Sequence, residues 1–496
     1  MRNDLAARAR EIALEITSWP SVTGSRDEAQ FALRFADYIT GLDAVWIEPI
    51  LDDAAARSNV FAIKHGRSKK TVVLTGHFDV VPIDDYGEFQ SLAFEAEKLL
   101  PEIIAKLKIS GENSLALKDF ESGEFLPGRG LLDMKAGLAA GIAAAENYSG
   151  DATLLFIAVS DEEDRSAGAR AAAPRLKQIA EQFGLDIALV INLDAISDQG
   201  DGRRARVATM GSIGKQLVTA FVVGKEAHAG YPQDGANAAY LAAELISEFE
   251  LADELSEATG DEIAAPPTCL CAKDLKQGYN VTTPAASWVY WNTMQHRRSA
   301  QEVFDVATKL ASRAMARAAR RLKSDVLILS YAEVVARVSP SVVKEKADAI
   351  ALLTDLNFPE RAKLLTQFVW AQSKLVGPAV VLGFGSIPYP SVSFSNAAIE
   401  LKIVDALQPL GIGTLKYFAG ISDMSFFGEA SGDLSVVAAN TPIWGTSFVM
   451  PEAAGYPCIN LGPWGRDYHH WLERLHAPYA FEVLPLALLA VIDAVV

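Results

Sequence analysis

Apolar positions recur along this chain in two rhythms. A helical spacing over 4–17 and 26–41 predicts amphipathic helices, and short apolar runs near 44–50, 58–64 and 71–77 predict strands. A helix then fits "MKAGLAAGIAAAENY", a strand "ATLLFIAVS", a helix 167–183, and strands "IALVINL" and "RARVATM". Helices alternating with short apolar strands predict an α/β fold with a mostly parallel sheet and helices on both faces. Such sheets bind ligands beyond the carboxyl ends of their strands.

The pattern breaks twice. Residues 85–125 are charged, with one helical stretch, and read as a surface insertion. From 206 to 335 the texture becomes strand ("KQLVTAFVVGKEAH"), helix ("ANAAYLAAELISEFELADEL"), strand ("SWVYWNTMQHR"), helix ("AQEVFDVATKLASRAMARAARRL") and strand ("DVLILSYAEV"). This predicts a smaller α/β sandwich inserted into the first domain, which would run over 1–205 and resume over 336–496. In the resumed part, "PAVVLGFGSIPYPSV" and "YPCINLGPWG" read as strands.

Composition narrows the partners. A formal net charge of −17 argues against nucleic acid or an anionic membrane surface. No apolar run approaches a membrane span, and the N-terminal segment reads as a helix of mixed charge rather than a signal peptide. Three cysteines, Cys269, Cys271 and Cys458, make no disulfide framework and fit a reducing, cytoplasmic compartment.

Chemistry collects at predicted strand ends. "TVVLTGHFDVVP" closes a strand with His77 and Asp79, which share one face by the two-residue period. "GRGLLDMK" puts Asp133 on a glycine-flanked loop, "LFIAVSDEED" ends in Asp161 to Asp164, "LVINLDA" ends in Asp194, and "ERLHAPYAFEVLP" places His476 before a proline turn and a final helix. Each has a plainer explanation. Polar strand ends usually just begin loops, acidic runs favour helix N-termini, and His476, like His469 and His470, could lie on the surface. "GRGLLDMKAGLAAG" could cradle phosphate but has neither GxGxxG nor a Walker pattern. Taken together, the mixed imidazole and carboxylate set suits zinc, with cobalt or manganese tolerated.

The order "GHFDVVP", "GRGLLDMKAG", "SDEEDRSAG", "INLDA", "HAPYAFEVLP" resembles the di-zinc amidohydrolase and peptidase family of aminoacylase, carboxypeptidase G, peptidase T and succinyl-diaminopimelate desuccinylase. "SWPSVTGSRDEAQFALRFADYI", "GKEAHAGYPQDGANAAYLAAEL" and "GISDMSFF" extend the resemblance over nearly the whole chain. "GISDMSFF" and "GPWGRDYHHWLERLHAPYAFEVLP" look most like its arginine-utilisation branch.

The resemblance implies two divalent ions, zinc first. His77 and Asp194 would hold one, Glu163 and His476 the other, and Asp133 would bridge them. Asp79 would orient His77. Glu162 would be the general base for a metal-bound water cleaving an amide or peptide bond of a small peptide or N-acyl amino acid. The inserted domain would serve as lid and homodimer contact, with His228 reaching across the dimer to the oxyanion and Asn280 touching substrate. One family feature is missing: about thirteen residues after the Asn280 turn, where relatives carry a carboxylate-gripping Arg, this chain has Thr293 or Met294. Two other readings remain open on the sequence: a related zinc aminopeptidase, and a metal-free descendant that binds a peptide or amino-acid derivative without cutting it.

Overall fold

The computed structural model describes residues 2–260, 262–430 and 433–496. The chain divides into two compact units: Met1–Ser212 with Val392–Ala430 and Pro451–Val496, and Ile213–Ser391 with Ser431–Met450.

The first unit is built on an eight-stranded sheet. Its strands lie in the order Ala44–Pro49, Ser58–Lys64, Thr153–Val159, Lys70–His77, Asp186–Asn192, Cys458–Asn460, Val207–Thr209, Gly413–Leu415. The first two pairings are antiparallel. Those joining Thr153–Val159, Lys70–His77, Asp186–Asn192 and Cys458–Asn460 are parallel. The central strands are buried along almost their whole length, as continuous apolar runs covered on both faces require. His77, Ser160 and Leu193 therefore sit at or just past the carboxyl ends of three adjacent parallel strands.

Two helices fix those ends. The helix Arg26–Tyr38 starts at Ser25, whose side chain accepts the Glu28 N–H. It buries Phe31, whose ring stacks on Phe78 at 4.7 Å, directly after His77. The helix Ala136–Asn147 is almost all Ala and Gly on its buried side, so it can lie close to the sheet. A Cβ on Gly137 would come within 2.0 Å of the Leu193 carbonyl oxygen, so only glycine permits this approach beside Asp194. The start expected at Met134 gives way to a π-type turn over Leu131–Lys135, with a cis Asp133–Met134 peptide.

The 85–125 stretch is no simple surface insertion. It forms two helices, Ala96–Ser110 and Ser114–Glu121, whose Leu99, Ile103, Leu107 and Phe120 join the main core. A second, four-stranded sheet has the order Phe125–Pro127, Arg474–His476, Trp464–Arg466, Ile196–Ser197.

The second unit is a five-stranded sheet in the order Thr268–Asp274, Ala286–Gln295, Gly214–Val223, Ala379–Phe384, Leu327–Ser330. The helices Ala238–Phe249 and Ala300–Leu322 pack on it through Leu241, Leu245, Phe304 and Leu310. It reaches past the expected 206–335 because Ala379–Phe384 pairs with Gly214–Val223, a long-range pairing that draws in the intervening helices. The strand expected over 325–334 stops at Ser330, where a capping box with Glu333 starts a short helix. No helix among the described residues is long and apolar enough to cross a membrane.

Candidate metal centre

His77 is the last residue of its strand and only 2% exposed. Its Nδ1 lies 3.0 Å from the Asp79 carbonyl oxygen, which can only accept a hydrogen bond, so Nδ1 carries the proton. Nε2 then faces three carboxylates: Asp133 Oδ1 at 3.3 Å, Asp194 Oδ1 at 3.7 Å and Glu162 Oε2 at 3.9 Å.

Asp79 orients His77 through its backbone rather than its carboxylate, whose Oδ1 stands 3.7 Å from Nδ1. The chain leaves the sheet after His77, and this turns the Asp79 side chain toward the neighbouring acidic loop. There it accepts the backbone N–H groups of Glu162 (3.0 Å) and Glu163 (3.2 Å) and the Thr23 hydroxyl (2.9 Å). A fully buried carboxylate thus fixes the peptide that presents both glutamates. Asp161, at φ +67, turns that loop and is itself held by Arg57.

Asp133 divides its oxygens. Oδ1 faces His77, and Oδ2 lies 3.2 Å from His469 Nε2. His469 Nε2 is also 3.1 Å from Glu163. Donor atoms of His77, Asp133 and Glu163 all fall within 4.8 Å of one another. Asp194 is steered from behind by Asn460, which accepts its N–H (3.1 Å) and donates to its carbonyl (2.9 Å).

His476 lies outside this cluster. Its strand pairs with Phe125–Pro127, and that register stacks its ring on Trp464 at 4.7 Å and against the edge of Phe125. Its Nδ1 accepts the Tyr479 N–H, and the carboxylate recorded near Nε2 is Glu124, at 3.9 Å. His469, and not His476, is the histidine whose Nε2 lies beside Asp133 and Glu163. The signal was present: His469 lies three residues beyond the strand Trp464–Arg466, in the polar stretch that follows a strand end.

His228 and Asn280 both belong to the second unit and are exposed. His228 Nδ1 accepts the Gly230 N–H at 3.0 Å, and His228 forms a β-bridge with Thr282, whose hydroxyl donates to Asn280 Oδ1 at 2.6 Å.

The charge balance of the cluster fits divalent cations. Burial pushes the carboxyls of Glu162, Glu163 and Asp194 up, while Asp133, despite its burial, is held below the ordinary range by His469 and His77. Burial opposes charge on the imidazoles too, yet Asp133 and its neighbours hold His77 well above its usual value, and Asp133 and Glu163 raise His469 to about 10. Asp423, from "GISDMSFF", is a further buried carboxyl, pushed up to about 7 by burial. Four carboxylates and two imidazoles thus converge where divalent cations would balance the charge. The nitrogen and oxygen donors suit zinc, cobalt or manganese.

Residues 109–439, more than half of the chain, match the model of peptidase family M20/M25/M40. The chain belongs to this family. Over 95% of its length it is 31% identical to the uncharacterized protein YqjN of Bacillus subtilis, covering 93% of that protein. It is 28% identical to Protein RocB of the same organism, over 97% of this chain and 94% of RocB. Among solved structures it is similar to the M20 metallo-carboxypeptidase Sso-CP2 from Sulfolobus solfataricus. That match has a TM-score of 0.56 at 13% identity and covers 98% of this chain and 99% of the other. Membership supports a hydrolase of peptide or amide bonds, and the α/β fold with an additional domain is that of the M20 family.

Proposed function

We propose that this M20 chain is a metal-dependent hydrolase that cleaves an amide or peptide bond of a small peptide or N-acyl amino acid. The observation that carries the reading is the Asp133 carboxylate, with one oxygen toward His77 and the other toward His469. His77 and Asp194 would hold one divalent ion, Glu163 and His469 the other, and Asp133 would bridge them. Such ions, zinc first, would polarise the carbonyl of the scissile bond and acidify water at the site.

The protein's own groups supply the rest. The Asp79 carbonyl keeps the proton on His77 Nδ1 and leaves Nε2 free to bind. Glu162 takes no part in the His469 contacts, and its carboxyl lies 3.9 Å from His77 Nε2. It accepts a proton from the attacking water and returns it to the departing nitrogen as the C–N bond breaks. Asp79 fixes the Glu162 and Glu163 amides, so base and ligand keep a constant offset. The exposed His228 and Asn280 would contact substrate, with His228 contributed across a homodimer. The resemblance to the arginine-utilisation branch favours a substrate from amino-acid breakdown in the cytoplasm.

A pooled screen of dipeptides and N-acyl amino acids with the zinc-, cobalt- or manganese-loaded protein tests this. Release of a free amine, abolished by chelation and restored by the metal, is expected. Metal uptake with no turnover of any amide in the pool would contradict hydrolysis and favour a binding role.

A further inference from the structure

His469 sits on a segment that needs outside support. Between the strands Trp464–Arg466 and Arg474–His476 the chain makes only turns, and two non-glycine residues, Asp467 (φ +54) and His469 (φ +61), adopt the left-handed region. The His469 side chain is 44% exposed, so its own packing does not fix it.

Asp467 accepts Gln199 Nε2 at 2.6 Å, and three further contacts that brace the segment reach residues 85–121. Glu473, 1% exposed, accepts the Gly130 N–H at 2.9 Å through Oε1, which also lies 3.5 Å from the Asp133 N–H. Its Oε2 takes Arg129 Nη1 at 2.8 Å, and Arg129 Nη2 continues to Asp85 at 2.9 Å. Arg474, also 1% exposed, donates to Asp119 at 2.8 Å and pairs with Asp467. Trp471 stacks on Phe89 at 6.3 Å, with Lys106 near both rings. One carboxylate, Glu473, therefore joins the loop bearing His469 to the loop bearing Asp133.

We propose that residues 85–121 form a buttress, acting through Glu473 and Arg474, that holds His469 against Asp133 and Glu163 and so sets the affinity for the second ion. Glu473 and Asp119 are positioning residues. The inference rests on the metal-binding reading above. It assigns these residues a supporting role, in keeping with their anchorage in the core through Leu99, Ile103, Leu107 and Phe120.

The test is calorimetric titration of zinc into chelator-stripped wild type, Glu473→Gln and Asp119→Asn, each checked for wild-type circular dichroism. Wild type should take two ions. Each variant should keep one at wild-type affinity and bind the other about 10–100-fold more weakly. Asp119 touches no ligand residue, so Asp119→Asn carries the test alone if Glu473→Gln fails to fold. Two ions at wild-type affinity in the variants, or equal weakening of both, would overturn the buttress and leave the metal centre standing. A wild type that takes no zinc would sink the metal reading and the buttress with it.

Discussion

His469→Ala is expected to lose one of two bound ions and with it nearly all turnover, whereas His476→Ala keeps both. His469 Nε2 lies within 3.2 Å of two carboxylates from different loops, Asp133 and Glu163. Removing the imidazole leaves an all-oxygen set with one donor fewer. Loss of a direct ligand should exceed the roughly 10–100-fold affinity cost of losing an outer hydrogen-bond partner. His476 instead fills a slot between Trp464 and Phe125. Its replacement should cost stability, about 1–3 kcal/mol for a packed side chain, with metal content unchanged. Parallel metal analysis and thermal melts on the two variants check this. A His476→Ala protein that folds but loses an ion would return that histidine to the site.

Glu162→Gln separates binding from chemistry. The Glu162 carboxyl stands 3.9 Å from His77 Nε2, and its backbone is pinned by Asp79. The amide keeps the shape of the side chain but cannot carry the proton from water to the leaving nitrogen. A fall in kcat of about 10²–10⁴-fold is expected for loss of a general base, with both ions and KM little changed. Turnover within a few-fold of wild type would remove Glu162 from this role. Loss of an ion would make it a ligand instead.

Much of the site was legible because local rules put it there. Buried strands ending in polar residues marked His77, the acidic loop and Asp194, and the parallel order of their strands brought those ends side by side. What the sequence left hidden depends on register and on long-range pairing. "DYHHWLERLH" offers three histidines, and only the antiparallel pairing of Arg474–His476 with Phe125–Pro127 turns His476 toward Trp464 and leaves His469 at the cluster. The alternation that placed His77 and Asp79 on one face ends where the strand ends, so the Asp79 carboxylate went to the Glu162 and Glu163 amides. The edge strand Thr268–Asp274 escaped notice because it is half exposed and lacks a continuous apolar run. Residues 85–125 read as surface because their charges dominate the pattern, although Asp119 is spent on buried Arg474.

Metal content per chain, measured by plasma mass spectrometry on protein purified without chelator and again after zinc or cobalt is added, is the decisive measurement for a paired-ion centre. The loaded protein is expected to hold close to two divalent ions per chain. Failure to take up any ion, even from added zinc or cobalt, would contradict that expectation and leave the His77, Asp133, Glu163, Asp194 and His469 cluster as a metal-free binding site without hydrolytic chemistry.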